Sequence, residues 1–287
     1  MRVWCFVPAH NITDLPVTNM GRWAYHVLPF RRRIVLQNIE HVYGESLSPA
    51  QKKHLAYAFY SHLLRSIKET CQLRFMSDAT LRKRVEVKGY ESLLDIAAQG
   101  RGVLIVTAHV GSWEFAPLGG ILNFEQFKGH FHFIRRRLGW KSLERILFRR
   151  YLRAGLNVIP KQDALHQVKA ALDQNHAVVF VLDQHASLTN RDGVAVEFFG
   201  KKAGTYRSLA SLSRHTGLPV VPAAGYRLPN GKHVLEFFDP IPWQEYPTTQ
   251  ESIYRNTLAY NQALERIILA HPEQWMWMHQ RWKLPVE

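Results

Sequence analysis

Two kinds of apolar pattern alternate along the chain. Val103 to Ala108, apolar but for Thr107, and Ala177 to Leu182, an uninterrupted apolar run, have the length of strands buried on both faces. Similar shorter runs lie at His130 to Ile134, Val158-Ile159, Pro219 to Ala224 and His233 to Phe238, and Glu86 to Tyr90 reads as a short strand or turn. Between them the apolar positions recur at helical spacing. Ser48-Pro49 opens a helix to Leu73, with Leu55, Phe59, Leu63, Leu64 and Ile67 on one face and Lys52, Lys53, Arg65 and Lys68 on the other. Further helices are predicted over Ser92 to Gln99, Lys141 to Ala154, Asp163 to Gln174, Tyr206 to Thr216 and Glu251 to His271. Gly100 and Gly155 end two of them, and Pro272 ends the last. Strands alternating with helices predict an α/β fold, a mainly parallel central sheet flanked by helices. Residues 1–75 read as an N-terminal helical extension and 76–287 as the α/β domain.

Composition supports a globular chain: 46% of the 287 residues are hydrophobic. Two cysteines far apart, Cys5 and Cys71, give no disulfide framework and no zinc-like spacing. The formal net charge of +14 changes the picture more. Such a field attracts anionic partners of any kind. Trp4, Phe6, Trp23, Tyr25 and Phe30 precede Arg31-Arg32-Arg33, and rings beside a cationic cluster suit a membrane interface as well as a core helix with a solvated basic end. Apolar runs fall short of the ~18 residues that indicate a membrane span. The expectation is a protein lying on a membrane, with residues 1–75 as the associating segment. Nothing but charge points to nucleic acid, and none is expected as a partner.

Candidate chemistry sits where the first long strand ends, in TAHVGSWEF from Thr107 to Phe115. His109 and Glu114 form H-x4-E across a predicted strand, turn and helix, with Gly111 permitting the turn and Ser112 placed to cap the helix. A carboxylate on one ring nitrogen fixes the tautomer and raises the basicity of the other, which can take a proton from an attacking alcohol. With 15 histidines and 23 acids in the chain, about one such pair is expected by chance, so the position after a buried strand is the informative part. There is no G-x-S-x-G elbow, no phosphate loop and no dinucleotide fingerprint. His130 and His132 alternate on a strand without a third ligand nearby in sequence and read as solvated edge residues.

The segments TAHVGSWE, VLDQ, VEFFGKKAGT, TGLPVVPA and PEQWMWMHQRWK occur in the order found in the late acyltransferases of lipid A biosynthesis. The chain resembles that family from about Arg31 onward, and through it the glycerolipid and lysophospholipid acyltransferase superfamily marked by H-x4-D/E. The resemblance implies transfer of a fatty acyl chain from an acyl-carrier protein or coenzyme A thioester to a hydroxyl of a lipid A precursor. It implies His109 as general base and Glu114 as its orienting partner, without cofactor or metal. It matches the family's arginine after the next strand to Arg136, flanked by Arg135 and Arg137, as the group facing the oxyanion.

By the same resemblance Asp183 orients Arg136, contacts acceptor, or serves as a helix cap or salt bridge. Gly200 and Thr205 match the segment lining the acceptor site, and Arg281 and Lys283 the basic end near phosphates. Trp275 and Trp277 read as core. Arg145, Arg149 and Arg153 share one helical face and suit acyl-carrier protein, phosphates or anionic lipid. The implied location is the cytoplasmic face of the inner membrane, held peripherally. Ser112 stands where the family has Asn, and Arg31-Arg32-Arg33 replaces a Tyr-Arg-Pro pattern. Another glycolipid, aminolipid, lysophospholipid or secondary-metabolite chain is the alternative acceptor.

Overall fold

A computed structural model describes residues 11–27, 31–135, 149–161, 164–189 and 192–283. Three helices come first: α1 (Asn19–Val27), α2 (Arg32–Tyr43) and α3 (Pro49–Gln72). Ser48 accepts from the Gln51 amide and Gln51 returns the bond, so α3 starts at a capping box with Pro49 in its first turn. Then follow α4 (Asp78–Arg84), β1 (Val85–Lys88), α5 (Glu91–Ala98), β2 (Val103–Thr107), α6 (Phe115–Ile121) and β3 (Phe131–Arg135). Residues 149–154 are helical and lead into β4 (Leu156–Pro160); the first part of the helix expected over Lys141 to Ala154, Arg145 included, lies outside the described residues. The chain continues through α7 (Ala164–Asp173), β5 (Ala177–Val181), β6 (Gly193–Phe198), β7 (Lys201–Tyr206), α8 (Ser208–Thr216), β8 (Val220–Arg227), β9 (His233–Phe237) and α9 (Thr249–Ala270).

Among the described residues seven strands form one sheet in the order β1-β9-β8-β2-β5-β3-β4. Neighbours run parallel except β8 and β9, which are antiparallel. This is the α/β fold expected from the pattern. The two long apolar runs, β2 and β5, are central neighbours, which is why both need apolar residues on both faces. Leu104 and Val106 point into one core and Val103 and Ile105 into the other. The first core also takes Tyr25 of α1, Val35 and Ile39 of α2, and Leu55 and Phe59 of α3. The N-terminal helices thus cover one face of the sheet with a core continuous with it.

Three local readings change. Ile67 of α3, expected on the apolar face, is 53% exposed. That half of the helix instead buries His62, Ser66 and Glu69, because Arg227 at the end of β8 lies opposite them. The hairpin β6–β7 was not predicted; it is antiparallel and turns at Phe199 and Gly200, both with positive φ. His132 is not a solvated edge residue: β3 lies between β5 and β4, and the ring bonds His176 at 3.0 Å.

Candidate active site

Parallel pairing sets Thr107 opposite Val181, so the carboxyl ends of β2 and β5 deliver His109 and Asp183 side by side. Ligands in open α/β sheets bind at such carboxyl ends. The Asp183 side chain is fully buried, and that of His109 is 21% exposed. His109 Nδ1 lies 2.9 Å from Asp183 Oδ1, and the His109 backbone N–H donates to Oδ2 at 2.9 Å. An ionised carboxylate can only accept, so Nδ1 carries the proton and Nε2 is the ring's acceptor. Trp275 Nε1 gives Oδ2 a further bond at 2.9 Å.

The electrostatics follow from this pairing. Burial pushes the His109 pKa down, but the Asp183 carboxylate outweighs it by charge and hydrogen bond, and the net direction is up. For Asp183, burial pushes up, yet the charge and bonds of His109, with His279 nearby, hold it well below the ordinary carboxylate range. His109, Asp183 and His279 bring nitrogen and oxygen atoms within 4.8 Å of one another, a composition that could hold a metal ion. The Asp183 oxygens, however, are already engaged by the three N–H groups.

The structure revises the role expected for Glu114. The carboxylate on the His109 ring is that of Asp183. Glu114 stands at the N-cap of α6, pairs with Arg135 Nη1 at 3.2 Å and accepts from the Tyr151 hydroxyl. Burial raises its pKa, with Arg135 and then His109 opposing. Gly111 makes the turn that carries His109, at φ +68°, and a Cβ there would lie 2.0 Å from Gly225 O. Ser112 does not cap with its side chain: its Oγ is buried without a partner among the described residues, and its carbonyl accepts from Phe115 and Ala116 instead.

A cavity of about 1530 Å³ opens beside the pair, above the ~300–1,000 Å³ usual for small-molecule sites. His109, Glu114 and Arg135 line it where the strands end, and Leu93, Ile96, Phe124 and Phe237 line it where it is apolar. Lys161, His185, Arg207 and Lys283 also reach it. Lys161 Nζ donates to the Tyr206 hydroxyl at 2.6 Å. Burial, then Lys283 and Arg281, lower the His185 pKa.

The remaining expected residues divide. Lys283 lines the cavity; of Arg135, Arg136 and Arg137 only Arg135 lies among the described residues, and it lines the cavity. Gly200 is in the β6–β7 turn and Thr205 is fully buried, and neither lines the cavity. Arg281 is not held out toward phosphates: it is fully buried, donating to Thr205 Oγ1 at 2.6 Å, to Gln184 O at 3.3 Å and to Gly204 O. Burial lowers its pKa to about 10. It ties the C-terminal segment to β7. Tyr151, Lys161 and Arg207 had no signal in the sequence, since only the folded sheet brings them here, and His279 lay within the segment PEQWMWMHQRWK without being singled out.

The model of the bacterial lipid A biosynthesis acyltransferase family matches residues 1–284. The chain belongs to that family. It is 26% identical over 271 residues to the lipid A biosynthesis lauroyltransferase of Escherichia coli, covering 92% of this chain and 83% of the relative. The lipid A biosynthesis palmitoleoyltransferase of the same organism is 26% identical over 275 residues, covering 93% and 83%. A phosphatidylinositol mannoside acyltransferase of Mycolicibacterium smegmatis is 22% identical over 219 residues, covering 75% and 68%. As a member of that family the protein is an O-acyltransferase that acts on a lipid acceptor. No helix among its described residues is long and apolar enough to cross a membrane.

Proposed function

We propose that the protein moves a fatty acyl chain from an acyl-carrier protein or coenzyme A thioester to a hydroxyl of a lipid A precursor, with His109 as general base. The observation that carries this reading is the bond between Asp183 and Nδ1 of His109, a residue that lines the cavity, which leaves Nε2 to accept a proton. As Nε2 takes the hydroxyl proton, the oxygen attacks the thioester carbonyl and an oxyanion develops. Arg135, aimed by Glu114, stands beside that charge. Collapse forms the ester and expels the thiolate, which recovers the proton from His109. The base is oriented by Asp183, and Glu114 acts through Arg135. No acyl-enzyme and no metal enter this scheme.

The apolar side of the cavity receives the acyl chain, and Lys161, Arg207 and Lys283 face the anionic part of a substrate. Acyl-carrier protein and anionic lipid are the partners, at the cytoplasmic face of the inner membrane. Met20, Trp23 and Val27, all more than half exposed and at i, i+3, i+7 on α1, lie against that lipid surface. The test is transfer by the purified protein, given mixed acyl-carrier protein thioesters and an underacylated lipid A precursor, with products read by mass. A gain of one acyl chain is expected, with loss of at least about 10²-fold in rate in His109→Ala and Asp183→Asn. The similarity to the mannoside enzyme favours one second reading, a different glycolipid acceptor. Acylation of phosphatidylinositol mannoside, with lipid A untouched, would decide for it.

A further inference from the structure

The segment Gln274 to Met276 does not line the cavity, yet it holds the carboxylate that serves it. It runs antiparallel to residues 109–111: Gly111 N–H donates to Gln274 O at 2.9 Å, Met276 N–H donates to His109 O at 3.0 Å, and Val110 pairs with Trp275. The segment is pinned from two further sides. The Gln274 side-chain amide exchanges two bonds with the Arg227 backbone, at 2.8 and 2.9 Å. Asn38 of α2 donates to the carbonyls of Trp277 and His279 at 2.7 and 2.8 Å. From this fixed backbone the fully buried Trp275 ring packs on Trp277 at 4.7 Å, and near Phe198 at 6.0 Å and Phe199 at 6.1 Å.

A buried indole N–H needs an acceptor. Here it finds Asp183 Oδ2, the oxygen that also takes the His109 backbone N–H, while Oδ1 takes the ring. An indole only donates and does not titrate in the working range, so this contact is present at every pH at which the base acts.

We propose that Trp275 is a positioning residue of acyl transfer: its indole N–H fixes the Asp183 carboxylate with Oδ1 toward His109 and withdraws charge from it. The inference rests on His109 being the general base. Without the N–H, Oδ2 keeps a single donor and the carboxylate carries more charge. The protonated His109 ring is then held more tightly, and the carboxylate is freer to rotate away from the geometry that transfer needs.

The test replaces Trp275 alone by 3-benzothienylalanine, which keeps the fused rings and lacks the N–H, and compares it with Trp275→Phe and Trp277→Phe. Trp277 donates to Pro272 O at 2.6 Å and serves as the packing control. In the benzothienyl protein kcat falls roughly 10- to 100-fold, KM for both substrates holds, and the acid limb of kcat/KM moves to higher pH. Trp277→Phe leaves that limb in place. If the benzothienyl protein keeps the parent's kcat and pH profile while His109→Ala is inactive, Trp275 is packing alone and the inference falls. If His109→Ala still transfers acyl chains, the reading of the site falls, and this inference with it.

Discussion

His109 feels two opposed pulls, burial toward the neutral ring and Asp183 toward the charged one, and the carboxylate prevails. A raised pKa makes the ring a stronger base once deprotonated, with Nε2 as the accepting nitrogen of a residue that lines the cavity. Arg135 has a comparable setting, half-buried and fixed by Glu114, with its guanidinium over Tyr151. Arg135→Ala is expected to lower kcat on the order of 10²–10³-fold with little change in KM, measured under saturating donor; a rise in KM alone would assign it to ground-state binding. His109 was legible because a histidine directly after a buried apolar strand has few structural reasons to be there. Its partner was not, because Asp183 lies 74 residues away and becomes a neighbour only through sheet order. Arg281 was misread for the opposite reason: charged residues near a basic segment are ordinarily solvated, and here one is sealed inside by carbonyl and hydroxyl acceptors.

At the scale of elements, β2 and β5 could be read directly because strands covered on both faces leave near-continuous apolar runs. The β6–β7 hairpin escaped because Lys201-Lys202-Ala203-Gly204 has the composition of a loop, and only its pairing with Gly193–Phe198 makes it a strand. Helix α3 shows how a partner overrides pattern. Its apolar stripe gives way to a polar one where Glu69 meets Arg227 Nε at 3.0 Å and His62 Nδ1 meets Arg227 Nη1 at 2.9 Å. Breaking one member of such a buried pair leaves the other charge uncompensated. Glu69→Gln is expected to cost about 3–5 kcal/mol of folding stability, checked by urea unfolding; a loss below 1 kcal/mol would mean that water reaches Arg227.

Across the whole molecule, buried histidines make stability depend on acidity. Burial, with Lys201, lowers His41 to about 3, and burial, with Arg227, lowers His62 to about 3, from 6.5. The unfolded chain takes up protons below pH 6.5 that the folded one refuses until about 3, so stability falls as pH drops through that window. Glu69, also lowered, adds the same sign in more acid solution, while Glu114, raised by burial, opposes it. His62 alone contributes a loss of about 2 kcal/mol at pH 5, so the melting temperature should fall clearly between pH 7 and 5. A flat profile there would show that these rings are hydrated.

The exposed face of α1 and the +14 charge make a second prediction at this scale. Trp23→Ala should weaken binding to anionic vesicles roughly tenfold, with binding to neutral vesicles weak throughout. Unchanged binding in a flotation assay, or no binding by the parent protein, would overturn the proposed contact of α1 with lipid.

The clasp of Asn38 on the Trp277 and His279 carbonyls joins residues 239 and 241 apart, and the Arg227–Glu69 bond spans 158. Closing such long loops is slow and draws on contacts made elsewhere first. Folding order follows from this: the β3–β4 and β2–β5 pairs join nearer neighbours, whereas the segment that clamps Asp183 is itself held only after opposite ends of the chain have met. On that order, catalytic competence is expected to be acquired late in folding and lost early in unfolding.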